Sequence, residues 1–459
     1  MMPIIRYRFF KRLLGTLLSC CFLSLLVACG STGMAAGQPT PSPKPGTPAP
    51  TSTHQANQGD NGSSTATPVT MTVPVPTTQV SCPAPGTGRA AILAPLATHG
   101  HKTLVYYVST GQDSRDQIMA TLKKLDVTTG QKTDIITLLK ASIKQAQVST
   151  DGQWVLFVAN VSVGGGIENR LQLVRMDGQG LQTLYCGTPD TLLDSGGVVW
   201  SNNQRTILMS LFGSKGSISS LNTQTGSVQV VLVTPMLVTS MLDNSRVYVT
   251  VPATDAPSNT LAILDTRKGP NQHVRDLITV FQQFPAGGAY PCWDADSSYD
   301  AATLYVSQCQ AVSLTTGPGI AGFSGPSSVG TQSPLGGGLH IVYNNQQLAI
   351  TQVRAVTANT LLLQTKSVHT PYGSMLNGLW AIHTDGTGRI RLASEGMLNS
   401  CAQTPWSNGS RDGMSYAFKN TSPDGTTASL GYGSLDGQQT TTFVTAKNAA
   451  LFIVGWTAL

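Results

Sequence analysis

The sequence predicts an all-β fold, a β-propeller with seven four-stranded blades. Two observations carry this prediction: a polar turn that contains Gly recurs seven times, and runs of five or six β-branched and aromatic residues flank the turns. The turns begin at Asp126, Asp177, Asn222, Asp265, Ser313, Asp385 and Asp436. Their spacing of 43 to 72 residues suits a unit of about four short strands, which cannot bury both of its faces alone.

The N-terminus predicts an export signal over residues 1–28. Four basic residues precede an apolar stretch at 13–28, which ends at Cys29. The stretch is shorter than the ~20 residues that a spanning helix needs. Leu26-Val27-Ala28-Cys29 resembles the lipobox of bacterial lipoproteins, and this resemblance implies that Cys29 becomes the lipidated first residue of the mature chain. An ordinary signal and an uncleaved membrane helix are the alternatives.

The composition of residues 29–80 predicts a disordered tether. The segment is dominated by Pro, Thr, Ser, Gly and Ala, a composition that buries too little apolar surface to offset the entropy of ordering. The propeller domain follows at residues 81–459. The expected location is the cell membrane, with the lipid-anchored chain on the extracytoplasmic side.

The charge of the mature chain argues against nucleic acid as a partner. The whole chain carries 28 Lys and Arg against 22 Asp and Glu, and removing the four basic residues of the signal lowers its net charge from +6 to about +2. No other Lys/Arg cluster supplies the footprint that phosphate binding needs.

A second tight turn, preceded by Trp or another hydrophobic residue, opens several strand-like runs. Copies lie at 148–152, 200–204, 242–245 and 406–409. The pairing resembles TolB-type and WD-like propeller repeats, which carry a Trp-Ser-Pro-Asp-Gly turn between the first and second strands and an Asp-x-x-x-Gly turn between the third and fourth. Pro is absent from the Trp-Ser positions here. The resemblance covers most of residues 100–457 and implies that the turn residues are structural.

The last residues predict how the ring closes. Residues 451–457 resemble an innermost strand, whereas the first blade begins at a second strand near Thr103. Pairing these segments would hide two sheet edges, with residues 90–96 as a competing partner. The widest spacing indicates a Gly/Ser/Pro-rich insertion at 318–338. Six or eight blades remain alternatives to seven.

Loop length indicates which face of the propeller binds a partner. The first-to-second and third-to-fourth turns share one face, here called the tight-turn face. The second-to-third loops and the blade-to-blade crossovers share the other, the loop-rich face, with long segments at 110–117, 162–169, 252–259, 367–377 and 420–426. Variable loops on a rigid scaffold usually carry recognition. The candidate binding residues are Asp113, Arg115, Asp116, Glu168, Asp255, His369 and Tyr372, and for each of them a solvated loop residue is the alternative.

Five cysteines besides Cys29 remain in the mature chain, and outside the cytosol such thiols tend to pair. Cys292 with Cys309 is the favoured disulfide, followed by Cys186 or Cys82 with Cys401, which leaves one cysteine unpaired. Placing Cys292 and Cys309 in the first and third strands of one blade would separate them by about 9.6 Å, too far for a bridge unless the rim turns inward.

No metal or cofactor is predicted. The segment Asp294-x-Asp296-x-Ser298-x-Asp300 has oxygen ligands at alternate positions, but it lacks the Gly and the final acidic residue of a calcium loop. A polar turn between first and second strands is the default interpretation.

Two functions remain open. The favoured one is a noncatalytic binding or scaffold module that recognises a protein or an envelope polymer through its loops. The alternative is a glycan-active hydrolase or lyase with acidic residues at the mouth of the propeller.

Overall fold

The computed structural model describes residues 80–98, 100, 102–110, 118–187, 191–213, 216–234, 236–251, 260–270, 272–283, 291–298, 300–313, 320–367, 377–399 and 406–459. The predicted signal and nearly all of the predicted tether lie outside these ranges. Within them, the helical content is two 3-10 turns, η1 Thr266–Lys268 and η2 Val274–Asp276. No described helix has the length and apolar character to cross a membrane.

Side chains of the turns define where the strands reverse. Ser149 Oγ donates to Asp151 Oδ1 at 2.6 Å and accepts from the Trp154 N–H at 2.9 Å. The same Ser-x-Asp/Asn arrangement closes three other first-to-second-strand turns, at Ser201 with Asn203, Ser298 with Asp300 and Ser410 with Asp412. At the turns, these local side-chain bonds replace the hydrogen bonds between paired strands. The turn residues are therefore structural.

The strands form seven sheets, one per blade, and in six of them the strands follow one another from the inside outward. Blade 1 contains β1 Thr103–Thr110, β2 Met119–Asp126 and β3 Lys132–Leu139; blade 2 contains β4 Ala141–Val148, β5 Trp154–Val163, β6 Gly166–Arg175 and β7 Gln182–Cys186; and blade 3 contains β8 Thr191–Trp200, β9 Thr206–Gly213, β10 Ser217–Asn222 and β11 Val228–Leu232. Blade 4 contains β12 Leu237–Met241, β13 Arg246–Val251, β14 Thr260–Asp265 and β15 Ile278–Gln282, and blade 5 contains β16 Pro291–Ser297, β17 Leu304–Ser313, β18 Ile320–Gln332 and β19 His340–Asn345. Blade 6 contains β20 Ile350–Ala355, β21 Thr360–Thr365, β22 Gly378–His383 and β23 Ile390–Ala393; blade 7 contains β24 Ser415–Thr421, β25 Thr427–Ser434 and β26 Thr440–Lys447; and the last strand of the chain is β27 Ala450–Thr457.

The predicted ring closure is confirmed. The first sheet has the order β27-β1-β2-β3, so the last strand of the chain is the innermost strand of the first blade. Leu104 lies opposite Trp456, whose side chain is buried. The competing segment, residues 90–96, forms no strand.

Blade 7 has three regular strands, with two isolated bridges where its innermost strand would lie. Met397 pairs with Lys419, and Gly409 pairs with Tyr416. Residues 400–405, between these bridges, lie outside the described ranges. Seven blades are therefore present, as predicted.

Blade 5 corrects the sequence interpretation. Six of the seven predicted turns join third and fourth strands, but Ser313 ends the second strand β17, and the predicted insertion contains the 13-residue third strand β18. Packing overrides the weak β-propensity of this Gly/Ser-rich strand. A Cβ at Gly330 would lie 2.7 Å from Leu339 Cγ, so the missing side chain is what lets Leu339 pack there.

Apolar side chains form the core between neighbouring blades rather than along the axis. One cluster joins blades 1 and 2 through Val105, Leu122, Ile136, Val155 and Phe157, all buried. Equivalent clusters join the following blades. The inner edges of the sheets therefore face a central channel. Backbone N–H and C=O groups at these edges need hydrogen-bond partners outside their own sheet.

Candidate functional site

Polar side chains bridge the inner strands of neighbouring blades around the channel. Gln145 of β4 donates from Nε2 to the Val198 carbonyl of β8 at 2.9 Å. Farther around the ring, Asn399 donates from Nδ2 to the Ile453 carbonyl of β27 at 2.8 Å. These bonds satisfy edge groups that no strand of the same sheet can reach, and they connect adjacent blades at their inner ends.

The charged part of this ring lies between blades 5 and 6. Asp294 and Asp296 stand two residues apart on β16, so both side chains project from the same face of the strand. Asp294 Oδ2 accepts the Val353 N–H at 3.0 Å, and Asp296 Oδ2 accepts the Ala355 N–H at 2.9 Å. The two carboxylates thus cap the inner edge of β20.

Arg354 completes the charged cluster. Its guanidinium forms an ion pair with Asp294, and Nη2 donates to the Asn399 carbonyl at 3.2 Å. The Arg354 side chain is only 4% exposed and that of Asp294 is 16% exposed. A buried cation needs such partners, because an unpaired charge in the interior is costly.

Asp296 differs from the other acidic residues. Burial raises the pKa of its carboxyl group from 3.8 to about 6, although the Arg354 charge and the Ala355 N–H both favour the ionised form. Four turn carboxyls, those of Asp300, Asp385, Asp424 and Asp436, show the opposite shift in pKa. Hydrogen bonds from Ser422 and Thr426 lower the pKa of Asp424 to about 2. Asp296 is therefore the acidic group whose charge changes closest to neutral pH among those with a resolved shift.

Asp296 also lines a cavity of about 60 Å³ at the tight-turn end of the channel. The inner strands of blades 2 to 5 end here, and Trp200 and Trp406 form part of the wall. The remaining lining residues are Gln147, Val148, Ser149, Thr150, Val199, Asn202, Ser240, Met241, Ser297, Ser298 and Ala301. The cavity thus combines one carboxylate, two indoles and several neutral polar groups.

The sequence did not identify this site. It indicated Asp294 to Asp300 as one polar turn, whereas Asp294 and Asp296 belong to the inner strand and only Ser298 and Asp300 form the turn. The two tryptophans were interpreted as markers of turns. Acidic residues at alternate positions of a predicted innermost strand were the signal that could have revealed the pair.

Of the seven predicted binding residues, Glu168 is the one within the described ranges. It lies on β6, and its Oε2 forms a 2.6 Å ion pair with Arg170 Nη2. Arg170 Nη1 in turn donates to the Val80 carbonyl at 2.9 Å, which secures the chain that enters the propeller. Asp113, Arg115, Asp116, Asp255, His369 and Tyr372 lie outside the described residues, as does Cys29, so their roles stay predictions.

Two of the predicted long loops are short hairpins. The segment at 162–169 contains a turn of Gly164 and Gly165 between β5 and β6, and that at 420–426 is closed by a bond from Ser422 to Asp424. The predicted loops are too long because polar and Gly residues are also typical of irregular segments. In the structure, β pairing continues almost to each turn.

Two disulfides lie toward the loop-rich face. Cys292 is joined to Cys309, and their Cα atoms are 5.0 Å apart. The expected obstacle to this pair is absent, because Cys309 lies on the second strand, directly opposite Cys292. Cys82 is joined to Cys186 with a Cα separation of 6.0 Å, so the predicted pairing of either residue with Cys401 is wrong. The entering chain returns to the end of β7, a contact that strand order alone does not reveal.

Cys82, Cys186 and Glu168 form a group with the spacing of metal ligands, since their candidate atoms lie within 4.8 Å of one another. The disulfide leaves neither sulfur as a thiolate, which is the form that binds metals. The Cys82–Cys186 disulfide is consequently a covalent anchor for the entering chain.

The chain is similar to several solved structures at low sequence identity. No family model matches the sequence, and no curated protein matches it. Among solved structures, TolB from Acinetobacter baumannii is 11% identical with a TM-score of 0.39, and the match covers 64% of each chain. The β-propeller domain of the Trilobed protease from Pyrococcus furiosus is 9% identical with a TM-score of 0.47, over 78% of this chain and 96% of that domain.

An enzyme is among the similar structures as well. The periplasmic gluconolactonase PpgL of Pseudomonas aeruginosa is 14% identical with a TM-score of 0.46, over 77% of this chain and 99% of that one. Because one fold can carry many unrelated functions, the function depends on the residues of the site.

Proposed function

We propose that this protein is a membrane-anchored extracytoplasmic lipoprotein whose propeller is a noncatalytic binding or scaffold module for a protein or an envelope polymer. Cys29 is the anchor, residues 1–28 are the cleaved signal, and residues 29–80 are the tether that separates residues 81–459 from the membrane. Contacts with the partner come from the loop-rich face.

The disulfides are the observation that supports the location. Disulfides form and persist in oxidising compartments and are rare in the cytosol. The described part of the chain holds two of them, and Cys82–Cys186 fixes the segment that follows the tether. That pairing suits a domain exported through the N-terminal signal.

The channel carboxylates favour binding over glycan hydrolysis. Glycoside hydrolysis uses two carboxyl groups that flank the scissile bond. Asp294 and Asp296 instead project from one strand and both accept N–H groups of β20. Asp294 is also held by Arg354. Both carboxylates thus bind the backbone of the neighbouring blade.

The anchor is tested by metabolic labelling with a radioactive fatty acid in a bacterial host. We expect the full chain to carry the label and Cys29→Ser to lose it. Cys21→Ser is the matched control, because it changes a neighbouring cysteine of the apolar stretch and should leave labelling intact. Label on the Cys29→Ser chain would exclude this anchor.

The binding role is tested by incubating the full chain with envelope fractions and measuring both retention and release of soluble sugar. Replacing Asp113, Arg115 and Asp116 together by Ala should reduce retention, whereas Asp436→Asn, on the tight-turn face, should not. Sugar release that Asp296→Asn abolishes would establish the glycan-active alternative in place of binding.

A further inference from the structure

We propose that the cavity at the tight-turn end of the channel binds a small primary ammonium group, with Asp296 as its counter-ion and the indoles of Trp200 and Trp406 beside it. This inference is separate from the proposed function, since it concerns the opposite face and a different ligand.

The charge of the cavity wall favours a cation. Asp296 is the one ionisable residue of the lining, and none of the lining residues is basic. The lining also contains hydroxyl and amide oxygens, among them those of Ser240 and Asn202. An ammonium group has three N–H donors and no acceptor, so a carboxylate surrounded by oxygens is a complementary set.

The two indoles add to this preference. Trp offers the best aromatic face for a cation. Arg411 already places its guanidinium carbon 5.2 Å from the centre of the Trp406 ring. The same residue donates from Nη2 to the Ser149 carbonyl at 3.1 Å, so it is held at the rim of the cavity.

The size of the cavity limits the ligand. A volume of about 60 Å³ holds a few water molecules. It accommodates an ammonium or methylammonium group. The ligand is therefore the amine-bearing end of a longer molecule or a free small amine.

The neighbouring charges keep Asp296 available at neutral pH. Asp294 and Arg354 face it from β16 and β20 and are paired with each other, and Arg411 lies at the rim. With its pKa raised to about 6, Asp296 is ionised at pH 7 and neutral at pH 5. A ligand cation keeps its charge over this range, so its affinity should follow the ionisation of Asp296.

The test uses the full chain in detergent and methylammonium chloride as the probe, followed by tryptophan fluorescence and by saturation-transfer NMR of the methyl protons. Sodium acetate, methanol and potassium chloride control for charge sign, for size and for ionic strength. We expect saturable binding of methylammonium in the millimolar range, since so few atoms can contribute little affinity, and no binding of acetate or methanol.

Asp296→Asn should weaken this binding at least tenfold, whereas Asp385→Asn, at an exposed turn on the same face, should leave it unchanged. For the unaltered chain, affinity should fall about tenfold per pH unit below pH 6. The pH series decides the question even if the Asp296 variant fails to fold. Equal affinity for the Asp296 variant, constant affinity from pH 7 to 5, or equal binding of acetate would overturn the inference.

Discussion

At the scale of single residues, Asp296 combines a structural and a chemical role. Its carboxylate accepts the Ala355 N–H, and its side chain lines the channel cavity. Burial opposes its charge more than Arg354 supports it, which is why the pKa is raised to about 6. The ionised form is thus less stable in the folded protein than in the unfolded chain.

The sign of this shift gives a prediction for Asp296→Asn. Between about pH 4 and 6 the folded state holds a proton that the unfolded state has released, so the free energy of unfolding falls as pH rises through this window. A shift of about two pKa units corresponds to roughly 3 kcal/mol. Urea denaturation should show the variant more stable by about this amount at pH 8, with the difference vanishing near pH 4.

Asp300→Asn is the control for that series, since it changes a carboxylate of the same blade whose pKa is lowered by bonds from Ser298 and Ala302. It should give no stabilisation at any pH. An Asp296→Asn variant with the same free energy of unfolding as the original chain at pH 8 would contradict the raised pKa of Asp296.

At the scale of elements, the two disulfides constrain different parts of the propeller. Cys292–Cys309 joins the paired strands β16 and β17 across a sequence separation of 17 residues. Cys82–Cys186 spans 104 residues and ties the entering chain to the end of β7. The longer loop removes more conformational freedom from the unfolded state.

We therefore predict that Cys82→Ser with Cys186→Ser destabilises the propeller more than Cys292→Ser with Cys309→Ser. The chain-entropy estimate is about 4.7 kcal/mol for the longer loop and about 3 kcal/mol for the shorter. The free energy of unfolding in urea without reductant measures both. A larger loss for the Cys292 and Cys309 variant would show that local strand pairing outweighs loop closure.

At the scale of the whole molecule, β27 closes the ring, because it pairs with blade 1 and packs against blade 7. Trp456 is 1% exposed and packs in a cluster with Leu104, Tyr106, Leu430 and Leu451. This cluster brings β27 and β1 together with β25 of blade 7. Closing the ring also covers the inner edge of β1, which would otherwise be open to pairing with another chain.

Trp456→Ala should accordingly reduce the free energy of unfolding by about 3 to 5 kcal/mol, the cost of a large cavity in a packed core. Met414→Ala is the control, because Met414 is 62% exposed, and its effect should stay within about 0.5 kcal/mol. Thermal unfolding with light scattering would show whether the opened edge causes aggregation. Equal effects of the two substitutions would mean that β27 does not hold the ring.

The amino-acid sequence alone predicts the all-β class, the repeat, six of the seven third-to-fourth-strand turns and the closing role of β27. These features follow from local chemistry, because Asp, Asn, Ser and Gly specify reversals through bonds to residues a few positions away. The β-branched and aromatic run from Thr103 to Val108 and the apolar run ending at Trp456 are likewise visible without a fold.

Three features are visible only in the folded chain: the third strand of blade 5, the partner of Cys82 and the cluster of Asp294, Asp296 and Arg354. Gly330 and Leu339 meet within blade 5, whereas Cys82 reaches Cys186 across 104 residues and Arg354 meets Asp294 across 60 residues. Local propensity carries no information about such contacts, because they form only when the strands and blades pack together.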